Sequence, residues 1–337
     1  MELLSLPGLA FVMLSMFWGL AFLAIRIAVT EGFLPIAFVS LRLAIAGGIM
    51  LLVFGVLVLS KTFRFKTTLP KYFKLKMCLM AFFNNTIPFV SVAVASTKVD
   101  SGVTSILDSG IPIFASLFAP LLLQNERITK ARVFGITTGF LGVISVCLHK
   151  VVADHVETVY IPGYLLVTLA CASYGFASVF GVRFLKGVPG LVAVTTQLCF
   201  SAVQCLLITG LFELKLSPIE LYKLPIELLQ MIQNSSTSAF FSLIYVAVFA
   251  SCFAYGCYFY LLETIGAVKQ SLVGYLLPFW GLTAGIIVQH EWEDKPLAYK
   301  LLEIVGTVLI IGGILIVNSD KKNKGKLVDE PLLINEV

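Results

Sequence analysis

Long apolar stretches separated by short polar loops run along almost the whole of this 337-residue chain. Ten of the stretches have about twenty residues or more, enough to cross a hydrocarbon layer of roughly 30 Å as α-helices. They occupy residues 7–29, 33–58, 73–97, 101–123, 131–149, 161–183, 189–212, 238–262, 267–288 and 296–317. The pattern predicts an all-α integral membrane protein with ten transmembrane helices.

One spaced motif occurs twice: a proline inside an apolar helix, then Gln-x-Glu, then a glycine-rich helix. The copies contain Pro112, Gln124, Glu126, Gly135 and Gly142, and Pro278, Gln289, Glu291, Gly306 and Gly313. Proline and glutamate are 14 residues apart in the first copy and 13 in the second. The motif predicts five-helix repeats at 1–149 and 150–318, with a disordered cytoplasmic tail at 319–337. Many transporters are built from such duplicated units.

Charge distribution predicts how the chain crosses the membrane. Only 13% of the residues are charged and 58% are apolar, whereas soluble proteins carry about 25% charged residues. With the amino terminus in the cytoplasm, sixteen lysines and arginines lie inside and six outside, as the positive-inside rule requires. Both termini are therefore predicted to be cytoplasmic, with the Glu126 loop inside and the Glu291 loop outside. Because each repeat has an odd number of helices, the second repeat is inverted.

The residue types needed for metal binding or catalysis form no motif. All seven cysteines lie in predicted spans without a Cys-x-x-Cys pair, and His149, His155 and His290 stand singly near loops. No phosphate-binding loop, nucleophile elbow or zinc helix is present. We therefore predict no catalytic residue, metal or cofactor, and no enzyme activity. The net charge of +5 follows from the inside bias and requires no nucleic-acid partner.

Two charged residues fall inside predicted membrane helices at equal depth. Arg42 and Asp108 are each 7 residues from the outer end of their helix, about 10 Å at 1.5 Å per residue. Charge at mid-helix costs about 2.5 to 3.5 kcal/mol on insertion scales, so such residues usually face a cavity or a partner. The pair is either a structural ion pair between helices two and four or a pair opened by substrate or a proton.

Polar residues in the third helix predict a cavity wall. Asn84 and Asn85 lie near its middle, and Asn84, Pro88 and Ser91 share one face. The alternative is hydrogen bonding between packed helices. Gln197 stands where the repeat places the counterpart of Arg42, which makes the two half-sites chemically unequal and suits an asymmetric substrate.

Aromatic residues within the spans suggest an amphipathic or aromatic substrate, although each alone is typical of packing. The residues concerned are Trp18, Tyr174, Tyr255, Tyr258, Tyr275 and Trp280. Pro88, Pro112 and Pro278 interrupt helices and are predicted hinges or kinks. Arg26 is expected to extend its charge to the membrane surface, and Glu303 has no assigned role.

Several of these segments together resemble the EamA family of the drug/metabolite transporter superfamily over nearly the whole chain. They are Trp18-Gly19, Pro35 with Arg42, NNTIPF at 84–89, SGVTSILDSGIPIF at 101–114, Glu126-Arg127 and GAVKQSLVGYLLPFWG at 266–281. The resemblance implies ten helices in two inverted five-helix repeats. It also implies a central cavity lined by helices one to four and six to nine, with the fifth and tenth as scaffold. In similar sequences, asparagine usually stands at the position of Asp108.

The resemblance also implies a function. It suggests a secondary-active carrier of the inner or plasma membrane that works by alternating access and exports amino acids, related metabolites or drugs. Proton coupling and facilitated exchange both fit, as do a monomer and a homodimer. The first alternative is an antiporter of the nucleotide-sugar or sugar-phosphate type, and the second is an integral membrane enzyme.

Overall fold

The computed structural model describes residues 5–60, 69–123, 129–148, 160–293 and 295–323. Within these ranges the protein is a helical bundle without β-strands. Its helices are α1 Leu6–Thr30, α2 Pro35–Leu59, α3 Phe73–Ala95, α4 Ser101–Leu122, α5 Lys130–Leu148, α6 Ile161–Phe184, α7 Gly190–Glu213, α8 Leu224–Asn234, α9 237–270, α10 Leu277–Val288 and α11 Leu297–Asn323. The motif residues Gln124 and Glu126 lie outside the described ranges, as do His149 and His155.

Every predicted apolar stretch contains helix. In the described parts of the chain, eight helices are long and apolar enough to cross a membrane, and shorter apolar helices occupy Val133–Val146 and Val273–Val288. The protein is therefore an integral, multi-pass membrane protein.

Two predicted boundaries were wrong. The eighth and ninth apolar stretches are not separated by a loop, because α9 continues to Gln270 and a 3₁₀ segment, Ser271–Leu276, leads directly into α10. The last helix runs to Asn323, so residues 319–323 belong to α11 and not to the tail. Hydropathy locates the apolar part of a helix, but the polar continuation of a helix leaves no apolar signal.

Helix starts follow local sequence signals. The Ser5 hydroxyl accepts a hydrogen bond from the Gly8 amide at 3.2 Å and caps α1, which satisfies one of the unpaired donors at a helix start. Prolines occupy the first turns of α1, α2 and α6, where the missing N–H is not needed.

Helices α5 and α11 pack against each other through the glycines of the repeated motif. A Cβ added to Gly142 would lie 2.7 Å from the Gly306 carbonyl oxygen, and one added to Gly313 would lie 2.6 Å from the Gly139 nitrogen. The contacts pair the later glycine of each motif with the earlier part of the other helix, so the two helices run antiparallel. Glycine is required here because the backbones themselves are in contact.

We expect Gly142→Ala to lower the free energy of unfolding by about 1 to 3 kcal/mol, since the added methyl group meets backbone atoms that cannot rotate away. Thermal unfolding of the purified protein in detergent would measure the change. Gly312→Ala is the matched control because nothing lies within 4 Å of its added Cβ. Equal unfolding midpoints for the two variants would contradict close packing of α5 on α11.

A second pair of glycine contacts also repeats between the halves. Gly19 of α1 packs against Trp280 of α10, and Gly175 of α6 packs against Phe114 of α4. Trp280 and Phe114 each follow their motif proline by two residues. The equivalent helices of the two halves are thus joined by equivalent contacts.

Candidate functional site

Buried charge is sparse in the bundle. Among the residues whose burial is described, the charged ones below 9% exposure are Arg42, Asp108 and Glu303. Glu303 is paired with Lys295, whereas neither Arg42 nor Asp108 has an ion pair within 4.0 Å in the described part of the chain. Arg42 and Asp108 are therefore unusual in being buried charged residues without an ion-pair partner among the described residues.

Arg42 lies between helices of both halves. Its Nε donates to the Ser251 hydroxyl of α9 at 3.2 Å, and its guanidinium lies over the Phe89 ring of α3, 3.9 Å from the centroid. Tyr174 and Tyr255 are within electrostatic range of the guanidinium. The Nη groups have no hydrogen-bond acceptor in the described part of the protein. They are also absent from its buried unpaired atoms, so they border accessible space.

Asp108 occupies a different part of the bundle. Its Oδ1 is 4.0 Å from the Cys171 thiol of α6, which also donates to the Leu107 carbonyl. The predicted Arg42–Asp108 ion pair is not formed in this structure. Equal depth does not make two residues neighbours, since α2 packs on α7, α3 and α9 whereas α4 packs on α10, α6 and α1. Tyr174 is within electrostatic range of both charges.

The predicted polar residues of α3 and α7 meet. The Asn84 amide donates to Gln197 Oε1 at 2.9 Å and to Asn85 Oδ1 at 3.3 Å. Asn85 is fully buried, and its Nδ2 has no partner among the described residues. Asn84 and Gln197 therefore form a contact between the two halves, as either helix packing or a cavity wall would require.

Helix α3 changes its winding beside these residues. Residues Phe82–Thr86 form a π turn, closed by a hydrogen bond from the Ile87 amide to the Phe82 carbonyl. The turn leaves carbonyls available to other helices, and the Ser173 hydroxyl donates to the Phe83 carbonyl at 2.7 Å. Pro88 follows directly and lacks the N–H that would continue the α-helical pattern. π turns frequently occur at functional sites.

Helix α9 contains a longer π segment, Tyr245–Phe253. The Trp18 indole of α1 donates to the Ala250 carbonyl within it at 3.2 Å, and Ser251 from the same segment binds Arg42. Helices α3 and α9 hold the third and eighth predicted spans, which are equivalent in the two repeats. In both halves, a π segment of the equivalent helix therefore has a backbone carbonyl that accepts a hydrogen bond from another helix.

The predicted aromatic residues form more than one group. Trp18, Tyr255 and Tyr258 cluster, with ring centroids 6.0 to 6.4 Å apart, and Tyr174 lies 6.4 Å from Phe89. The Trp280 indole instead donates to the Ser15 hydroxyl at 3.0 Å. Tyr275 packs beside a core formed chiefly by α4, α6 and α11.

Two of the prolines predicted as hinges stand where helices are interrupted. Pro112 follows the break at Ser109 and Gly110 that divides α4 into Ser101–Asp108 and Ile111–Leu122. Pro278 follows the 3₁₀ segment Ser271–Leu276. Both prolines therefore mark equivalent changes of helical geometry.

A charged network that sequence reasoning missed joins helices at the end of the bundle that contains Arg26, here called the Arg26 end. The Arg26 Nη2 is 3.0 Å from Asp100, and the Lys295 Nζ is 2.8 Å from both Asp100 and Glu303. Glu303 also accepts a hydrogen bond from the Trp292 indole at 2.7 Å. The expectation that Arg26 extends its charge to the membrane surface was incomplete, because its guanidinium is paired with Asp100. Glu303 is fully buried and binds Lys295 and Trp292 within this network.

Glu291 joins this network to the start of α4. Its Oε1 accepts hydrogen bonds from the Ser101 amide and hydroxyl, both at 2.7 Å, and its Oε2 accepts one from the Gly102 amide at 3.0 Å. Arg26 lies 3.8 Å away. A carboxylate at a helix start satisfies unpaired amides and the helix dipole. Glu291 belongs to the repeated Gln-x-Glu, which is the sequence signal that pointed to this residue.

Lys295 carries the charge that holds the two acids together. Burial lowers the pKa of Lys295, but the carboxylates of Asp100 and Glu303 raise it by more, so the pKa lies above the ordinary lysine value. Lys295 is therefore protonated throughout the physiological pH range. Its stabilising contribution is complete below the ordinary lysine pKa and is lost only as the pH rises through the folded-state value.

Comparison with known proteins identifies the family of this chain. The sequence profile of the EamA-like transporter family matches it twice, at residues 6–148 and 161–319. The chain belongs to this family. EamA-like proteins are membrane transporters, so the predicted resemblance and its transport function are confirmed at that level.

Individual relatives agree. An uncharacterized transporter of Archaeoglobus fulgidus is 29% identical over 301 residues, covering 89% of this chain and 94% of that protein. The uncharacterized transporter YdfC of Bacillus subtilis is 25% identical, covering 88% and 86%. Protein PagO of Salmonella typhimurium is 24% identical, covering 80% and 81%. The chain is also similar to a crystal structure that is 17% identical in sequence, and the match covers 95% of this chain and 99% of that one. The TM-score of 0.58 shows that the two share a fold.

Proposed function

We propose that this EamA-like transporter is a secondary-active exporter of amino acids, related metabolites or drugs that works by alternating access. The observation that carries the proposal is a set of hydrogen bonds joining the two halves: Arg42 to Ser251, Asn84 to Gln197 and Trp18 to Ala250. Polar groups held between the repeats of a membrane protein are typical of a transport site. The substrate would bind among them and move as one repeat tilts against the other.

A nucleotide-sugar or sugar-phosphate antiporter is less well supported. A phosphate group generally needs more than one cation, and Arg42 is the single buried base among the residues whose burial is described. The substrate class proposed above therefore excludes phosphorylated sugars.

The direct test is a metabolite panel. Purified protein in sealed vesicles would be loaded with labelled amino acids, related metabolites and drugs, and release would be followed against protein-free vesicles. Release of one class, faster with protein and blocked by unlabelled competitor, would support the function. Release no faster than from protein-free vesicles across all classes would contradict export of these compounds.

The proposed topology has ten transmembrane helices in two inverted repeats within the inner or plasma membrane, with both termini cytoplasmic. We expect a cysteine at position 126 to react only with reagent supplied from the cytoplasm and a cysteine at 290 only from outside. His290 suits the outer label because its side chain is 70% exposed. The measurement is membrane-impermeant labelling of each variant after the native cysteines are replaced. Labelling of both sites from the same side would contradict the inverted repeats.

The hinge proposal concerns Pro112 and Pro278. Replacing either by alanine supplies an N–H that favours regular α-helix, so we expect transport to slow severalfold while substrate affinity changes little. Transport rate and binding would be measured on the same vesicles. Pro162→Ala is the control, because Pro162 stands in the first turn at the start of α6, whereas Pro112 and Pro278 stand where one helical segment follows another. Wild-type rates in both hinge variants would show that the prolines have no part in the transport cycle.

A further inference from the structure

The guanidinium of Arg42 is buried without a counter-ion. Its residue is 6% exposed, and no carboxylate of the described residues lies within 4.0 Å of it. A buried charge is ordinarily paired, because removing it from water without compensation is expensive. The described residues therefore supply no anion for this guanidinium.

The geometry of the guanidinium leaves its recognition face available. Nε is used by Ser251 and one planar face is covered by Phe89. The two Nη groups border accessible space, and arginine presents such N–H groups in a planar fork that matches a carboxylate. The residues already in contact with Arg42 hold it in place and leave its outer donors unused.

The walls around this fork are aromatic. Phe89 and Tyr174 have centroids 6.4 Å apart, and Trp18, Tyr255 and Tyr258 form the neighbouring cluster. Such walls bind an apolar or aromatic body, while tyrosine hydroxyls provide a few polar contacts.

We propose that the substrate is a carboxylate with an aromatic or apolar body, its carboxylate bound by Arg42 and its body lying against Phe89, Tyr174 and the Trp18 cluster. This inference rests on the proposed transport function and names the chemical group that the transport site recognises. One cation without a second nearby base matches the single charge of a carboxylate better than the double charge of a phosphate.

The test uses a matched pair of probes, 3-phenylpropionate and its amide, which differ in the charged group alone. Affinity would be measured from the rise of the unfolding temperature of the whole purified protein with probe concentration. We expect the acid to bind at least about tenfold more tightly than the amide, as for a hydrogen bond to a charged group. Phenyl phosphate provides the phosphate comparison.

Variants assign the discrimination to Arg42. We expect Arg42→Gln to bind acid and amide equally and Arg42→Lys, which keeps the charge and protects folding, to bind the acid more weakly than wild type. Arg183→Gln is the control, because Arg183 is an exposed arginine at the end of α6.

Three results would overturn the inference: equal binding of acid and amide by the wild type, binding of the acid by Arg42→Lys as tight as by the wild type, or tighter binding of phenyl phosphate than of the carboxylate. Vesicles that release uncharged compounds but no carboxylate would also overturn it while leaving the transport function intact. Vesicles that release nothing would count against the transport function itself.

Discussion

Replacing Glu291 by glutamine is expected to destabilise the protein by about 3 to 5 kcal/mol, the cost of breaking a buried charged contact. The Glu291 side chain is 3% exposed, and its carboxylate accepts three hydrogen bonds from Ser101 and Gly102. In the glutamine variant, an NH₂ group would replace one of the two carboxylate oxygens. That oxygen would no longer accept a hydrogen bond, and the NH₂ group would face another N–H or O–H donor. Thermal unfolding would show the loss as a lower midpoint.

The same change is expected to slow transport, because Glu291 links the loop after α10 to the start of α4 at the Arg26 end. In the proposed orientation this end faces outward, and we propose that the network forms and breaks once in each transport cycle. Glu293→Gln is the control: Glu293 is two residues away, 70% exposed and paired with His290 at 3.1 Å. We expect its unfolding midpoint and transport rate to remain close to wild type. If Glu291→Gln behaved like this control, the contacts to α4 would have no role in closure.

Asp108→Asn is expected to give a well-folded protein that binds substrate but loses accumulation driven by a pH gradient. Arg42 does not rely on Asp108 for an ion pair, so removing the acid strands no partner. A carboxylate at 7% exposure carries its charge at a high cost inside a membrane, and taking up a proton removes that cost. Asp108 is therefore proposed as the group that couples proton movement to transport.

Two assays separate this role from a structural one. Uptake driven by a pH gradient should fall at least about tenfold in Asp108→Asn, while exchange of labelled for unlabelled substrate at equal pH should continue. The double variant Asp108→Asn with Arg42→Gln tests charge coupling. Poor folding of the single variant, with recovery in the double variant, would show that the two charges depend on each other. Unchanged pH-driven uptake would remove the proton role.

The repeats and the helices were predictable because each leaves a local signal. Apolar stretches of sufficient length can cross a bilayer only as helices or closed barrels. The spacing from Pro278 to Glu291 nearly repeats that from Pro112 to Glu126, and the paired glycines stand 7 residues apart in both halves. Burial of Arg42 was predictable for the same reason, since a charge within an apolar helix seldom faces lipid.

The partners of the charged residues were not predictable. Depth along a helix follows from counting residues, but the direction a side chain faces depends on which helices are neighbours. Arg42 and Asp108 matched in depth and still lie on helices that pack on different partners. The network of Arg26, Lys295 and Glu303 joins residues up to 277 positions apart in the sequence, and a single sequence contains no signal for such contacts.

The π turn in α3 has a consequence for the register of that helix. A π turn accommodates one more residue than the same length of α-helix, and each residue of an α-helix advances the side-chain direction by about 100°. The face that Phe89 presents to Arg42 is therefore determined by the turn at Phe82–Thr86. Loss of one residue there would rotate Phe89 by more than a quarter turn, away from the guanidinium, while the hydropathy of the helix stayed almost the same. The length of this segment, as much as its composition, specifies the shape of the site.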